Sequence, residues 1–250
     1  MTDLIVLIMA GGLGKRMESD LPKVLHLINN KPMLIHIIEK ALILAPFKIA
    51  IIVGKYREII INTIKKYISL NVFTDKLIFI DQPETLGTGH AIICCRDYLL
   101  QHTNKKILIL SGDVPLISYK TMELMVTNNH MTSILITKLD NPTGYGRVIC
   151  DDNNNFVKII EDKDCNNAEK TVNIINSGIY SFSCHILCKY LLELSNNNAQ
   201  QEYYLTDIIE IIKNKEHCHI NMPLISKENQ HEIIGVNTKL QLLELEKIIL

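Results

Sequence analysis

The sequence predicts an α/β protein with a Rossmann-like, doubly wound sheet. Apolar, strand-like segments at residues 4–10, 48–53 and 106–111 alternate with segments whose apolar residues recur at helical spacing. Strands that alternate with helices pair in parallel through right-handed crossovers, which gives an open sheet. From about residue 133 the pattern changes to short strands separated by polar turns. This change predicts added antiparallel structure, and hence a mixed sheet.

Each predicted element follows from a local pattern. Pro32 suits a first helical position, and apolar residues at helical spacing follow it to Leu42. Thr206 is predicted to cap a helix over residues 207–213. The remaining predicted helices cover residues 59–68, 91–100, 184–194 and 238–250, and the remaining predicted strands cover residues 77–80, 134–137, 147–150, 156–160 and 172–182.

Composition excludes several classes of function. The chain has 250 residues, 47% of them hydrophobic and 21% charged, which is ordinary for a globular protein. A net charge of −1 gives no bulk attraction to nucleic acid or to an anionic membrane. Seven irregularly spaced cysteines favour a reducing, cytoplasmic setting over a disulfide framework. The start of the chain lacks the basic region of a signal peptide, and no apolar run is long enough to span a membrane.

A glycine-rich, cationic loop follows the first strand. Glycine lets the backbone turn sharply and approach a ligand, and successive N–H groups in such a turn can bind anions. Neighbouring cations suit a polyphosphate. The loop and its cations therefore predict a nucleotide-phosphate site at the carboxyl edge of a parallel sheet; they are Gly11, Gly12, Gly14, Lys15, Arg16 and Lys23.

The common phosphate loops do not match this stretch. The Walker pattern fails because Met9 and Arg16 hold two of its required positions, and the dinucleotide fingerprint fails because Met17 replaces its third glycine. The pattern G-G-x-G-x-R-M followed by L-P-K, with SDLPKVLH at residues 19–26, resembles the sugar-nucleotide pyrophosphorylases, and most closely their N-acetylglucosamine-1-phosphate uridyltransferase branch. The resemblance implies nucleotide contacts from Ala10, Gly11, Gly12 and Gly14.

A second motif is DQPETLGTGH at residues 81–90. Gln82 carries a donor and an acceptor on one amide, which suits a pyrimidine edge, and residues 87–89 open a helix directly after a strand. The string resembles the uracil-binding loop of the same family. That resemblance implies that Gln82, Gly87 and Thr88 bind the nucleoside.

A third motif, LILSGDVPL at residues 108–116, places Asp113 after a buried strand. A lone Asp in this position is often a turn residue, but beside a phosphate loop it can hold Mg²⁺. The family commonly holds its metal with this Asp and a late Asn, which match Asp113 and Asn237 here. Gly112, next to Asp113, is expected to contact the nucleotide.

Three short strings are expected to form the sugar side. PTGYGR, IIEDKD and NIINSGIY offer a close glycine backbone, a hydroxyl acceptor and an amide that can bind an N-acetyl group. In order and spacing they resemble the family's acceptor pocket, in which residues matching Gly146, Glu161 and Asn176 contact N-acetylglucosamine. The string NNNAQQEYYLTD at residues 196–207 resembles the N-acetylglucosamine branch and differs from its glucose and mannose relatives.

The departures from the family pattern are modest. Ser111 stands where many members have tyrosine or a small residue, Asp162 replaces His or Gln, Ser177 replaces Thr, and Gln201 replaces Gly. Ser111 puts one nucleotide contact in doubt. The resemblance does not include the acetyltransferase domain of the bacterial bifunctional enzyme. We therefore expect no acetyl transfer and no trimer, but a monomer or a weak dimer.

The resemblance implies a Mg²⁺-dependent enzyme that transfers uridylyl from UTP to N-acetylglucosamine 1-phosphate. Arg16 and the glycine loop would hold the β- and γ-phosphates, and Lys23 would act at the α-phosphate; these two are the expected catalytic residues. The alternatives are a relative that uses glucose 1-phosphate or another nucleotide, an inactive sugar-nucleotide sensor, and an α/β protein that binds an unrelated phosphate compound.

The expected organisation is a single nucleotidyltransferase domain over residues 1–250. Its nucleotide-binding half covers residues 1–130, its sugar-binding half 131–237 and its C-terminal helix 238–250. Other notable side chains are expected to be structural: His217, Cys218 and His219 alternate on a strand, and Cys184 and Cys188 lie in the core. His90 is not expected to be catalytic, because an anionic sugar phosphate needs no general base.

Overall fold

The computed structural model describes residues 3–12 and 14–249, without the side chains of Lys15 and Ile249. Strands and helices alternate through the first half, as the sequence predicts. In chain order they are β1 (Leu4–Met9), β2 (Leu27–Ile28), β3 (Lys31–Pro32), α1 (Met33–Ile43), β4 (Lys48–Val53), α2 (Arg57–Tyr67), α3 (Leu70–Lys76), β5 (Leu77–Asp81), α4 (Thr88–Ile93), α5 (Arg96–Leu100) and β6 (Lys106–Ser111).

The second half contains the predicted change of pattern. Its elements are α6 (Tyr119–Val126), β7 (Thr132–Lys138), β8 (Arg147–Cys150), β9 (Phe156–Ile160), β10 (Ile174–Ser183), α7 (Cys184–Tyr190), α8 (Asp207–Glu216) and α9 (Lys239–Ile249). Short 3-10 helices lie at Lys15–Met17, Lys23–Leu25, Glu169–Thr171, Leu191–Glu193 and Lys227–Ile233. Among the described residues, no helix is both long enough and apolar enough to cross a membrane.

The chain divides into two compact units. Unit 1 comprises the described residues of Met1–Thr85, Ile109–Glu123 and Glu228–Leu250, and unit 2 comprises Leu86–Leu108 and Leu124–Lys227. Both units are discontinuous in sequence. The predicted division at residues 130 and 237 into two halves and a terminal helix stays a prediction.

Unit 1 is built on parallel strands. β1 pairs with β4 so that Ile5 is opposite Lys48, and β4 pairs with β5 so that Val53 is opposite Asp81. The backbone N–H of Gly112, just past β6, donates to Met9 O at 2.9 Å. The carboxyl ends of these strands therefore share one edge, which is where ligands of open α/β sheets bind. β1 and β4 are buried on both faces, as their continuous apolar sequences predict.

The last part of the chain returns to unit 1 through an apolar cluster. Buried side chains from the loop after β1, from β2, from the start of α1, from the segment before α9 and from α9 itself pack together. They are Met17, Ile28, Met33, Val236 and Leu245, respectively. Burial of such large apolar side chains stabilises this arrangement by about 1.5–3 kcal/mol each. The cluster holds Asn237, next to Val236, close to the loop that carries Arg16.

Unit 2 is antiparallel. β10 pairs with both β7 and β8, and β8 pairs with β9. The pairing of β10 with β7 is irregular between Asn176 and Tyr180, where Gly178 has a φ of +78°. Such an irregularity redirects side chains on the strand. It lies within the string that the sequence predicts to bind the sugar.

Two predicted helices are interrupted. The predicted helix over residues 91–100 is two helices, because Cys95 N bonds to Ile92 O and tightens the turn between α4 and α5. The predicted helix over residues 184–194 ends at Tyr190 and continues as a 3-10 turn. The sequence pattern also missed α3, α6 and the β2–β3 hairpin, which are short elements with weak periodicity.

Two local predictions were wrong. Thr206 precedes α8, but its side chain makes no cap hydrogen bond there; its hydroxyl donates instead to Glu161 Oε1 at 3.0 Å. The His217–His219 segment does not alternate on a strand: His217 ends α8 in the left-handed conformation, and the segment after it is irregular. Cys184 and Cys188 are buried, as predicted.

Candidate active site

The glycine loop after β1 is shaped by close contacts within unit 1. A Cβ atom at Gly11 would lie 2.9 Å from Gln82 Oε1, so only glycine lets the loop pass this buried amide. Gly14 has a φ of +57°, and a Cβ atom there would lie 2.6 Å from Lys23 Cβ. No described atom lies within 4 Å of a Cβ built at Gly12. The structure therefore brings Gly11 together with Gln82, and Gly14 with Lys23.

Gly112 has a packing role. A Cβ atom there would lie 2.7 Å from Met9 O, so a side chain would separate the ends of β1 and β6. Ala10 is buried and its N–H donates to Ile52 O at 2.8 Å. Both residues lie at the strand edge where the sequence expects the nucleotide, and their contact with it stays a prediction.

Four side chains of unit 1, two of them cationic, form one cluster. The Lys23 ammonium forms an ion pair with Asp113 Oδ2 and donates to Asn237 Oδ1 at 3.1 Å. Arg16 Nη2 donates to the same Asn237 oxygen at 3.1 Å. Only 14% of the Lys23 and Asp113 side chains is exposed, so their mutual attraction is screened less than that of a surface pair. Side chains separated by more than 200 residues thus form one cluster.

Backbone contacts hold the two oxygen-bearing residues in place. Val236 N donates to Asp113 O at 2.9 Å, which brings the neighbouring Asn237 beside Asp113. Gln241 Oε1 accepts from the backbone N–H groups of Asn237 and Thr238, and Thr238 Oγ1 accepts from Gln241 N. This reciprocal pair is a capping box at the start of α9. It fixes the backbone at Asn237.

The donor set fits a hard divalent cation. A carboxylate oxygen of Asp113 and an amide oxygen of Asn237 both lie against a single ammonium, and Mg²⁺ prefers such oxygen ligands. Within the described residues, no group of three or more His, Cys, Asp or Glu side chains could hold a metal. Two protein oxygens are consistent with Mg²⁺, which usually retains water and binds substrate phosphates. The Lys15 side chain, predicted among the nearby cations, lies outside the described residues.

The GTG motif is packed within unit 2. Gly87 has a φ of +107°, and a Cβ atom there would lie 2.6 Å from Tyr203 O. Gly89 N donates to that same carbonyl at 2.7 Å, and Thr88 Oγ1 accepts from Leu205 N at 3.1 Å. The glycines are therefore needed to join residues 86–89 to residues 203–205. Nucleoside binding by Gly87 and Thr88 stays a prediction.

The three residues predicted to bind the sugar are brought together in unit 2. Asn176 N donates to Gly146 O at 2.9 Å, and a Cβ atom at Gly146 would lie 3.4 Å from Glu161 Oε2. The Asn176 amide donates to the Tyr180 hydroxyl at 2.7 Å and accepts from Gly178 N at 3.1 Å. Both ends of the amide are thus fixed by the strand irregularity.

Burial dominates the electrostatics of this second cluster. Desolvation raises the pKa of Glu161, and the hydrogen bond from Thr206 partly opposes that rise. Burial also raises the pKa of Asp207 to about 6, with nearby Glu210 and Asp164 adding to the effect. The pKa of Tyr180 is raised as well, first by burial and then by the nearby Glu161. The cluster is therefore a buried acidic environment.

Sequence reasoning missed several supporting residues. Ser111, noted only as a departure, donates to Asp113 Oδ1 at 2.6 Å. Asp162, another departure, pairs at 2.9 Å with Arg147, whose side chain is only 2% exposed. Asp164 accepts from Ala199 N and from the Tyr204 hydroxyl, which ties residues 196–205 to the acidic turn. An arginine in an otherwise apolar strand was the one available signal for the Asp162 pair.

The fold is a mixed α/β sheet with a charged cluster in unit 1, and the comparisons identify the class of protein. The family model described as nucleotidyl transferase matches residues 5–227. The chain therefore belongs to the nucleotidyl transferase family, as its motifs predict.

Two relatives indicate which kind of nucleotidyl transferase the chain resembles. A protein of Acanthamoeba polyphaga mimivirus, described as a probable UDP-N-acetylglucosamine pyrophosphorylase, is 40% identical over 98% of this chain and 96% of its own length. The bifunctional protein GlmU of Caldanaerobacter subterraneus is 39% identical over 99% of this chain. The chain spans 52% of that longer protein.

A solved structure confirms the fold class. A UDP-glucose pyrophosphorylase, in a complex with UDP-glucose, matches with a TM-score of 0.76 over 100% of this chain and 98% of its own. At 16% sequence identity this likeness shows the fold alone. The predicted mixed α/β, Rossmann-like class is thus confirmed.

Proposed function

We propose that this chain is a Mg²⁺-dependent uridyltransferase that converts UTP and N-acetylglucosamine 1-phosphate into UDP-N-acetylglucosamine and pyrophosphate. The observation that carries this proposal is the convergence of Arg16, Lys23, Asp113 and Asn237 in unit 1. The name of the mimivirus relative, which aligns with nearly the whole chain, supports the choice of substrates.

The chemistry requires positioning and charge neutralisation. A phosphate oxygen of the sugar 1-phosphate attacks the α-phosphorus of UTP, and the bond from that phosphorus to the oxygen bridging the β-phosphate breaks. The electron pair of the broken bond leaves with pyrophosphate. The attacking oxygen is already anionic at neutral pH, so no residue needs to remove a proton. Catalysis of phosphoryl transfer then depends on in-line geometry and on cations near the developing charge.

Lys23 is assigned to the α-phosphate. Its ammonium forms an ion pair with Asp113 and contacts Asn237. An ammonium and a divalent cation repel each other and cannot share the same two oxygens. With a divalent cation bound to those oxygens, Lys23 would instead contact phosphate oxygens, where charge increases in the transition state. Arg16 and the glycine loop are assigned to the β- and γ-phosphates.

Asp113 and Asn237 would hold the Mg²⁺ ion. When bound, Mg²⁺ supplies Lewis-acid neutralisation of the triphosphate charge. Asp113 provides the anionic oxygen and Asn237 a neutral one, and the capping box at α9 fixes the backbone from which Asn237 extends.

Unit 2 is assigned to sugar recognition. Asn176 already uses one amide hydrogen for Tyr180 and one oxygen lone pair for Gly178 N. A side-chain amide has two donors and two lone pairs, so one of each remains for an acetamido group. The second oxygen of Glu161 is left to accept from a sugar hydroxyl, because Thr206 donates to Oε1. Gly146 provides the close backbone approach.

Pyrophosphate release tests the proposal directly. The purified chain is incubated with each of UTP, CTP, GTP and dTTP against N-acetylglucosamine 1-phosphate, glucose 1-phosphate and mannose 1-phosphate, with and without Mg²⁺. We expect rapid release only with UTP, N-acetylglucosamine 1-phosphate and Mg²⁺ together. Faster turnover of glucose 1-phosphate would assign a different sugar. Binding of UDP-N-acetylglucosamine without any turnover would indicate a sensor.

A further inference from the structure

Ser111 contacts the carboxylate of Asp113. It ends β6, two residues before Asp113, and its hydroxyl donates to Asp113 Oδ1 at 2.6 Å. A hydroxyl that donates to a carboxylate makes one of the stronger protein hydrogen bonds. Oδ1 of Asp113 is therefore occupied by its hydrogen bond with Ser111.

The other oxygen of the same carboxylate faces the charged cluster. Asp113 Oδ2 lies against the Lys23 ammonium, which also donates to Asn237 Oδ1 at 3.1 Å. The two oxygens that meet at one cation are thus Asp113 Oδ2 and Asn237 Oδ1. Rotation of the Asp113 carboxylate would break this convergence, and the bond to Ser111 opposes that rotation.

We infer that Ser111 is a positioning residue that fixes the Asp113 carboxylate so that Oδ2, together with Asn237 Oδ1, faces the cation position now held by the Lys23 ammonium. This inference rests on the proposed function, because it assigns that position to the divalent cation of the reaction. Ser111 needs no contact with substrate in this role. Hydrogen bonds to ligating carboxylates orient them, and loss of such a bond typically lowers metal affinity about 10–100-fold.

The test compares Ser111→Ala with wild type in two measurements. The first is the Mg²⁺ concentration that gives half-maximal pyrophosphate release at saturating UTP and N-acetylglucosamine 1-phosphate. The second omits the sugar phosphate and follows the melting temperature with UTP as Mg²⁺ is added, so that metal binding is measured without turnover. We expect the half-saturating Mg²⁺ concentration of Ser111→Ala to rise about tenfold in both measurements. The value of kcat at saturating Mg²⁺ should stay within about twofold.

Two further variants separate positioning from folding. Ser111→Thr keeps the hydroxyl and should show the same Mg²⁺ dependence as wild type. Ser118→Ala is a matched control in the same unit, because its hydroxyl accepts from Thr121 N at 3.1 Å and caps α6 instead of facing the cluster. We expect Ser118→Ala to melt at a lower temperature with an unchanged half-saturating Mg²⁺ concentration.

The outcomes distinguish this inference from the proposed function. An unchanged Mg²⁺ dependence in Ser111→Ala would overturn the positioning role, and so would a lower kcat with no change in that dependence. A wild-type chain that releases no pyrophosphate would overturn the proposed function, while the melting measurement would still decide the role of Ser111. If the melting temperature of the wild-type chain with UTP did not change as Mg²⁺ is added, the assignment of the cation position itself would be wrong.

Discussion

The two clusters of predicted site residues are held in different ways. In unit 1, the cations Arg16 and Lys23 reach Asp113 and Asn237 through long side chains, while Ser111 and the capping box hold the two oxygen-bearing residues. In unit 2, Gly146, Glu161 and Asn176 are held by backbone hydrogen bonds, a strand irregularity and burial. The cations of the first cluster extend on long, flexible side chains, whereas the residues of the second cluster are held by backbone hydrogen bonds and burial.

This difference matches the chemistry proposed for each cluster. Phosphoryl transfer depends on positioning and on cations near the developing charge, so its residues must supply charge at defined positions. Sugar recognition compares hydroxyl and acetamido positions, so its residues gain from preorganisation. The charged cluster should therefore be sensitive to loss of charge, and the buried cluster to changes in desolvation.

The largest expected effect is that of Lys23→Ala on turnover. Removal of the cation assigned to the α-phosphate should lower kcat by about 10²–10³-fold. Uridine affinity, measured by calorimetry, should change only slightly, because uridine carries no phosphate for Lys23 to contact. Lys31→Ala, which breaks an ion pair with Glu39 elsewhere in unit 1, is the control and should turn over normally. A Lys23→Ala variant with wild-type turnover would contradict the assignment of Lys23 to the α-phosphate.

The next effect concerns the fixed part of unit 1. Gln82 is buried and its amide oxygen lies against Gly11, so we expect it to recognise the base without moving. Gln82→Ala should lower the ratio of kcat/KM for UTP over CTP by about tenfold, the value of one or two lost hydrogen bonds. Gln101→Ala, at the end of α5, should leave the ratio unchanged. Strict UTP preference in Gln82→Ala would contradict the assignment.

A smaller effect is expected on stability at the buried cluster. Burial raises the pKa of Glu161 in the folded chain, so the native state binds more protons than the unfolded state above pH 4.5. Wild-type stability should therefore fall as the pH rises from 4.5 through the folded pKa of Glu161. Glu161→Gln should remove that loss, and its stability advantage in urea unfolding should grow over the same range. Glu193→Gln, at an exposed ion pair, should change stability by less than about 1 kcal/mol at every pH.

The smallest expected effect is at Gln201. Its φ of +55° is a left-handed conformation that costs a non-glycine residue about 1–2 kcal/mol. Gln201→Gly should relieve this strain, and the greater freedom of glycine in the unfolded chain should cancel part of the gain. We expect a melting temperature higher by about 1–3 °C in calorimetry. Gln101→Gly, at a φ of −78°, should instead lower the melting temperature.

Sequence patterns predicted most of the fold because long buried strands carry strong local signals. β1, β4 and β6 each match an apolar run to within one residue, and the motifs identified the family. The short elements α3 and α6 were missed because a helix of two turns has little periodicity to detect. The prediction that Thr206 caps a helix was wrong for a different reason. A hydroxyl that could cap a helix bonds a buried carboxylate instead, and local sequence does not contain that choice.

Local sequence was enough to predict the long strands and helices, the glycine turns and the residue types of the charged cluster, because these depend on neighbouring residues. The position of Lys23 between Asp113 and Asn237, and the hydrogen bond from Ser111 to one oxygen of Asp113, could be seen only in the folded chain. Such pairings join residues separated by as many as 214 positions. They depend on packing and on competition among partners for the same charge, which a local pattern does not record.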